Sequence, residues 1–481
     1  MVELRKRPNE DDVAAAQPSK RVAVDKGNKP TKAAATEKHA AISPAQTAFA
    51  AAQKAARDAI AALPAGSVFT VGEGDAGQLG LGEEITSRKK PTPLRSIENV
   101  PIVRMAAGGV HTVAITAKGQ VYSWGCNDEG ALGRSGEEAE PALVKGLIEN
   151  EFIVAVTCGD SHTNVLSDKG VVYGWGTYRD SAGRMGFDFD TLFKEGGADK
   201  ATVQFEPKVV LDYTAKHDRV VRISASNNHT IALTEKGNIV TWGCGEHGQL
   251  GRVGSRMSDR SKHLHMLGPA PVLIRRKKAA PKDVFTGGFQ SFVLFDDDTV
   301  VAFGLNNYYQ CGIPDVADPI YAPTEVPALS GRQVVSIKGG EHHTLALLAD
   351  GSVLSFGRGD YGRLGHGNNN ELSQPVKIDS LGPSDQVHID KIATGGIVSY
   401  ALSNHGEVYA WGMGSNYQLA LGPDDDMDTP TLVPAPRFGD NSVLDVVSGG
   451  QHTVFLVNYK NKIVAAGASA APSVSATPMQ A

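Results

Sequence analysis

The feature that most constrains this chain is that its sequence restarts itself. A short apolar run ending in one large or aliphatic residue plus glycine recurs at Val71-Gly72, Trp124-Gly125, Trp175-Gly176, Trp242-Gly243, Phe303-Gly304, Phe356-Gly357 and Trp411-Gly412. Successive landmark glycines lie 53, 51, 67, 61, 53 and 55 residues apart. A second small residue follows eight positions later at Gly80, Gly133, Gly251, Gly312, Gly365 and Ala420, and ten later at Gly186. A His-Thr pair opens another run at His111-Thr112, His162-Thr163, His229-Thr230, His343-Thr344 and His452-Thr453, with Gln290 and Val398 in the same slot elsewhere. Each of the first six slots lies 14 residues before the next landmark glycine, and eight residues after it comes Gly119, Gly170, Gly237, Asp298, Gly351 or Gly406, turn positions suited to positive φ.

A repeat of this length with several strands cannot bury both sheet faces alone, and stacking seven radially around an axis does so with few exposed edges. The expectation is an all-β, seven-bladed β-propeller over residues 66–465, flanked by a disordered N-terminal tail (1–65) and a disordered C-terminal tail (466–481). The Trp-Gly and His-Thr positions then serve packing between blades.

Composition agrees: 481 residues, 41% hydrophobic and 21% charged, exclude a collagen, a disulfide-stapled miniprotein and a wholly disordered chain. Cys126, Cys158, Cys244 and Cys311 stand singly, so a reducing compartment is expected, without disulfide framework or zinc site. No long apolar run or leader-like start occurs, so a protein neither secreted nor membrane-spanning is expected.

Charge is segregated. Residues 1–65 hold 11 Lys/Arg and 7 Asp/Glu, or +4, which leaves −10 for the remainder of a chain whose net charge is −6. Within that acidic body, residues 253–283 hold Arg256, Arg260, Lys262, Arg275, Arg276, Lys277, Lys278 and Lys282 against Asp259 and Asp283. In the tail, Arg5-Lys6-Arg7 and Lys20-Arg21 have the form of a two-cluster nuclear import signal, and residues 45–63 carry a narrow stripe of Phe49, Ala56, Ile60 and Leu63 able to dock as a helix.

Strings longer than the repeat are distinctive: Gly72-Glu73-Gly74-Asp75, Cys126-Asn127-Asp128-Glu129-Gly130-Ala131-Leu132-Gly133-Arg134, residues 244–253 and Trp411-Gly412-Met413-Gly414-Ser415-Asn416-Tyr417-Gln418-Leu419. In them, and over residues 66–460, the chain resembles the regulator of chromosome condensation family. The resemblance implies a chromatin-bound exchange factor for a Ran-type GTPase, acting by differential binding with no cofactor. It implies GTPase contacts at Asp75, Asp128, Asp180, His342 and His452. Asn228 stands where the family usually has Asp, which keeps hydrogen bonding and loses charge. The first long interval contains Leu192, Phe193, Lys194 and Glu195 before a Gly196-Gly197 turn, with residues 201–205 as the returning arm, and the resemblance makes this hairpin the wedge pressed against the GTPase. The second contains the basic insert, where Arg256 or Arg260 is implied to meet the histone acidic patch, and Arg275, Arg276, Lys277 and Lys278 suit the phosphates of DNA.

Implied partners are therefore a Ran-type small GTPase, the nucleosome and a nuclear import receptor, with no membrane and a monomeric chain. No phosphate-binding loop, metal cluster or nucleophile–base pair argues for covalent chemistry. A propeller scaffold without exchange activity is the alternative. A light sensor is disfavoured, since all four tryptophans occupy the packing slot. Register also separates two neighbours: His343 holds the repeat slot and is expected to be structural, and His342 is expected to be a one-residue addition bulging toward the rim.

Overall fold

The computed structural model describes residues 44–188, 202–254, 266–274, 276, 278–316, 318–382 and 387–458. It contains seven four-stranded antiparallel sheets and one two-stranded hairpin. Each sheet runs outward from an inner strand through the His-Thr strand and the Trp-Gly strand to an outer one. In the second blade these are Ile102–Ala107, His111–Thr116, Val121–Gly125 and Ala142–Leu143. The structural blade is offset from the sequence unit, because its inner pair precedes the landmark glycine. The first blade is consequently built from both ends of the domain: Ser67–Glu73 pairs antiparallel with His452–Val457, placing Gly72 opposite His452. Closure by a terminal strand leaves the ring without a free edge at the seam.

The landmark residues are explained by the seams. The four tryptophans are 0 to 1% exposed, and five of the second small residues, Gly80, Gly133, Gly251, Gly312 and Gly365, lie against the aromatic of the next blade. A Cβ added to Gly80 would stand 2.8 Å from Trp124, one on Gly133 2.6 Å from Trp175, and one on Gly251 2.8 Å from Phe303. These glycines also hold φ of +71, +67 and +63. Ala420 is the exception in its slot, and the next blade carries Val71 in place of an aromatic. The two share one core cluster, and the smaller partner leaves room for the extra methyl.

The His-Thr slots form a second ring. His111 Nε2 lies 2.9 Å from Thr163 Oγ1 of the next blade, His162 3.2 Å from Thr230, His229 2.9 Å from Ser291, His343 2.9 Å from Ser399 and His452 2.8 Å from Thr112. Gln290 Nε2 donates to Thr344 across 3.2 Å, and where Val398 cannot bond, Tyr400 Oη meets Thr453 at 2.8 Å. The hydroxyls of Thr163, Ser291 and Ser399 give their own protons to the carbonyls of Ala131, Gln249 and Arg363. Their imidazole partners must therefore donate from Nε2, and since burial lowers their pKa values these rings are neutral Nε2–H tautomers near pH 7.

The inner strands line an axial channel of about 1010 Å³. At one end the chain turns from inner to second strand at residues 108–110, 159–161, 227–228, 287–289, 340–342, 395–397 and 449–451, and this end is the turn face. At the other, the helix face, Pro44–Ala61 lies over the mouth. Ala52, Ala55, Ala56, Ala59 and Ile60 line the channel. Ile60 is 2% exposed, and Arg57 Nε lies 2.5 Å from Asp168 Oδ2 with its guanidinium carbon 5.3 Å from the centroid of the Phe152 ring. This is the docked helix that the stripe of residues 45–63 allowed, and the rest of the tail, residues 1–43, lies outside the described residues. The apolar stripe is short, but a channel mouth needs only a narrow one.

Candidate functional site

Antiparallel topology decides which residues meet on the turn face. Both the inner turns and the loops that follow each landmark glycine emerge there. The inner turns are tied to one another by backbone bonds, including Gly109 N to Asp160 O at 3.2 Å, Asp160 N to Asn227 O at 2.7 Å, Gly288 N to Gly340 O at 2.8 Å and Gly450 N to Gly109 O at 2.9 Å. These bonds tie neighbouring turns together through the backbone alone.

Asp75 and Asp128 are exposed on this face, each three residues past its landmark glycine. Asp180 lies in a short hairpin, Tyr178–Asp180 with Gly183–Gly186, that the sequence reading did not anticipate. The hairpin is braced by Glu129, which receives Arg179 at 2.7 Å and Arg184 at 2.8 Å. Asn228 accepts the backbone N–H of Arg179 at 2.8 Å and donates to Asp160 Oδ2 at 3.5 Å. An amide can do both and an ionised carboxylate cannot, which gives a local reason for Asn in place of Asp.

His342 is half-buried in an aromatic cluster. Its ring stacks on Phe289 with centroids 5.8 Å apart and meets Tyr308 edge-on at 5.2 Å, while Phe289 meets His247 at 5.3 Å. Burial, then the neighbouring Arg358 and Arg363, lowers its pKa to about 4, so the ring is neutral near pH 7.

Three expectations change. His342 is not an added residue. Its carbonyl accepts from the N–H of Arg358 as Val110 accepts Cys126, Asn228 accepts Cys244 and Phe289 accepts Leu305. It holds the regular position before the slot, and that position faces outward in every blade. His452 is 0% exposed and belongs to the inter-blade ring, so its side chain cannot touch a partner on the surface. Arg276 is held by its own blade: it bonds Asp297 at 3.1 Å, Glu325 at 3.3 Å and Thr299 at 2.9 Å, and lies over Phe295.

The wedge residues Leu192, Phe193, Lys194, Glu195, Gly196 and Gly197 lie outside the described residues, as do Arg256, Arg260, Arg275, Lys277 and the import clusters. The expected returning arm is shortened, because Gln204–Leu211 forms the outer strand of the third blade. Lys278 is exposed in the connection between Ala270–Val272 and Pro281–Thr286. That connection emerges on the helix face, away from the acids.

Sequence reasoning missed two turn-face carboxylates, Asp160 and Glu341, which line the channel mouth. Burial first, and the charge of Glu341 second, raises the Asp160 pKa to about 6, against a lowering pull from Arg179. The available signal was their position, within three residues before a slot. Among the described residues no His/Cys/Asp/Glu group could hold a metal, and no helix is long and apolar enough to cross a membrane.

Residues 67–455 match the family model described as an RCC1-like domain. The regulator of chromosome condensation of Homo sapiens is 39% identical over 408 residues, covering 82% of this chain and 92% of that protein. The guanine nucleotide exchange factor SRM1 of Saccharomyces cerevisiae is 29% identical over 439 residues, 80% of this chain and 86% of that one. Among solved structures, Prp20p from Saccharomyces cerevisiae, described with its binding to Gsp1p and histones, superposes with a TM-score of 0.73 at 29% identity, covering 84% of this chain and 95% of its own. With its seven blades, its turn-face acids and its His-Thr ring, the chain belongs to the regulator of chromosome condensation family.

Proposed function

We propose that this protein is a guanine-nucleotide exchange factor for a Ran-type GTPase, and that the turn face is the surface it presents to that partner. The observation that carries the reading is convergence: Asp75, Asp128, Asp180, Asn228 and His342, separated by up to 267 residues in sequence, share one face around one channel mouth. Acids there suit a partner with a basic surface, and neutral His342 adds a group able to donate and accept. Exchange needs no covalent step. A surface that binds the nucleotide-free GTPase tightly must, by reciprocal coupling, weaken GDP and GTP on it. The segment 191–205 acts as the wedge against the nucleotide site.

Chromatin engagement is proposed through Arg256 or Arg260 and through Arg275, Lys277 and Lys278, with phosphates and acidic protein surfaces as ligands. Nuclear location is proposed to follow from Arg5-Lys6-Arg7 and Lys20-Arg21 acting on an import receptor. The name of SRM1 supports the exchange reading, and the name of the human relative and the histone binding of Prp20p support chromatin engagement. The deciding experiment is release of labelled GDP from purified Ran: acceleration by catalytic amounts of this chain is expected, and an unchanged rate would leave the scaffold alternative.

A further inference from the structure

Six of the seven loops that follow the landmark glycines contain one position with the same pair of hydrogen bonds. Its N–H is given to the carbonyl three residues back, and its carbonyl accepts from the N–H three residues on. In four loops the residue is glycine: Gly77, Gly130, Gly248 and Gly362, with φ of +73, +71, +76 and +70. In the fifth and seventh it is tyrosine. Tyr309 gives its N–H to Asn306 at 2.9 Å and accepts from Gly312 at 2.7 Å; Tyr417 gives to Gly414 at 2.8 Å and accepts from Ala420 at 3.1 Å. Their φ values are +61 and +57, a left-handed conformation that disfavours a bulky side chain.

A strained tyrosine where glycine suffices needs a compensating role. Tyr417 has one within the fold: Lys89 Nζ of the adjoining blade lies 4.5 Å from its ring centroid, across the seam where the chain closes. Tyr309 shows none: the residue is 36% exposed, and among the described residues its side chain makes neither a hydrogen bond nor a ring contact, although its neighbour Tyr308 packs on His342 and carries Arg358 at 4.7 Å over its face. The loop thus sends one tyrosine into the His342 cluster and leaves part of the next open to solvent.

We propose that Tyr309 is a binding residue of the exchange surface, offering its exposed part to the GTPase beside the part that meets His342; this rests on the exchange function proposed above. The residue extends the contact from the acids of the first three blades to the fifth. It was invisible to motif reasoning because a Tyr-Tyr pair resembles packing.

The substitution Tyr309→Gly restores the residue that four other loops use, so misfolding is not a competing explanation. In GDP release from Ran, with melting temperature measured alongside, Tyr309→Gly is expected to weaken affinity for nucleotide-free Ran by about five-fold or more. Its melting temperature should not fall. Tyr309→Phe, which keeps the ring, and Tyr417→Gly, which makes the same exchange in the seventh loop and gives up the Lys89 contact, should stay within about two-fold of wild type. Wild-type exchange with Tyr309→Gly unaffected, or an equal loss in Tyr417→Gly, overturns the role of Tyr309. A wild-type chain that does not accelerate release overturns the exchange function and this proposal with it.

Discussion

At the scale of single residues, neighbours in sequence have opposite roles because they face opposite ways. His343 points into the inter-blade ring, bonded to Ser399 at 2.9 Å, and His342 points out onto Phe289 and Tyr308. His343→Ala removes a fully buried donor and leaves the Ser399 hydroxyl short of one partner, a loss of about 1–3 kcal/mol, which thermal unfolding would register. His342→Ala should leave the melting temperature nearly unchanged and slow exchange on Ran. The reverse pattern would show the two side chains misassigned. Asn228 offers a sharper case. Asn228→Asp puts a second carboxylate beside Asp160, whose pKa burial and Glu341 have already raised to about 6, and removes the only donor between them. The variant is expected to lose about 1–2 kcal/mol at pH 7.5 and to recover part of it at pH 5.5, where Asp160 takes up a proton. A constant difference at the two pH values would exclude carboxylate repulsion as the cause.

At the scale of elements, the docked helix and the basic connection are both legible in sequence only as compositions. The stripe of residues 45–63 is too weak to specify a partner. The helix sits on the channel because Asp168, with 0% side-chain exposure, sits beside that mouth and needs a cation, which Arg57 supplies. Arg57→Ala should therefore release Pro44–Ala61, seen as new proteolytic cleavage between residues 44 and 63 with the propeller core intact; continued protection would mean that Ile60 and the alanines suffice. In the basic run, four residues of one composition divide. Arg276→Glu should destabilise the fifth blade, since it sets a third carboxylate against Asp297 and Glu325. The triple change of Arg275, Lys277 and Lys278 to Glu should weaken DNA binding and flatten its dependence on salt while preserving the melting temperature. Equal DNA affinity before and after the triple change would remove this run from the chromatin surface.

The whole molecule concentrates titratable groups in one ring. Burial lowers the pKa of His111 to about 4 and those of His229 and His452 to about 3, and depresses His162 and His343 as well. A histidine held neutral in the folded state is protonated near pH 6.5 in the unfolded one, so the unfolded chain binds more protons below that value. Stability is complete above pH 6.5 and falls as pH drops toward 4, by about 1.4 kcal/mol per histidine per pH unit within the window. Asp160, raised to about 6, opposes this between pH 6 and 4, and one carboxyl is outweighed by five imidazoles. Melting temperatures at pH 7, 6 and 5 should decline steeply; a flat profile would show the ring to be accessible to protons in the folded state.

The sequence by itself determined the number of blades, their phase and the identity of the seam residues, because the register of 14 and 8 residues around each slot is a covalent property that packing must obey. It also marked the charged segments and the positions of Asp75 and Asp128, which stand in loops wherever the strands fall. Tertiary structure alone decided which face each loop shares, since that depends on antiparallel pairing and on closure of Ser67–Glu73 with His452–Val457. It decided which group each slot residue meets: His452 is buried against Thr112, because that inter-blade bond forms only once the next blade is in place. It decided that Arg276 is held by Asp297 and Glu325, which lie 21 and 49 residues away along the chain. A local pattern records what a residue offers; which partner takes up that offer is set by groups distant in sequence that only the closed ring brings within reach.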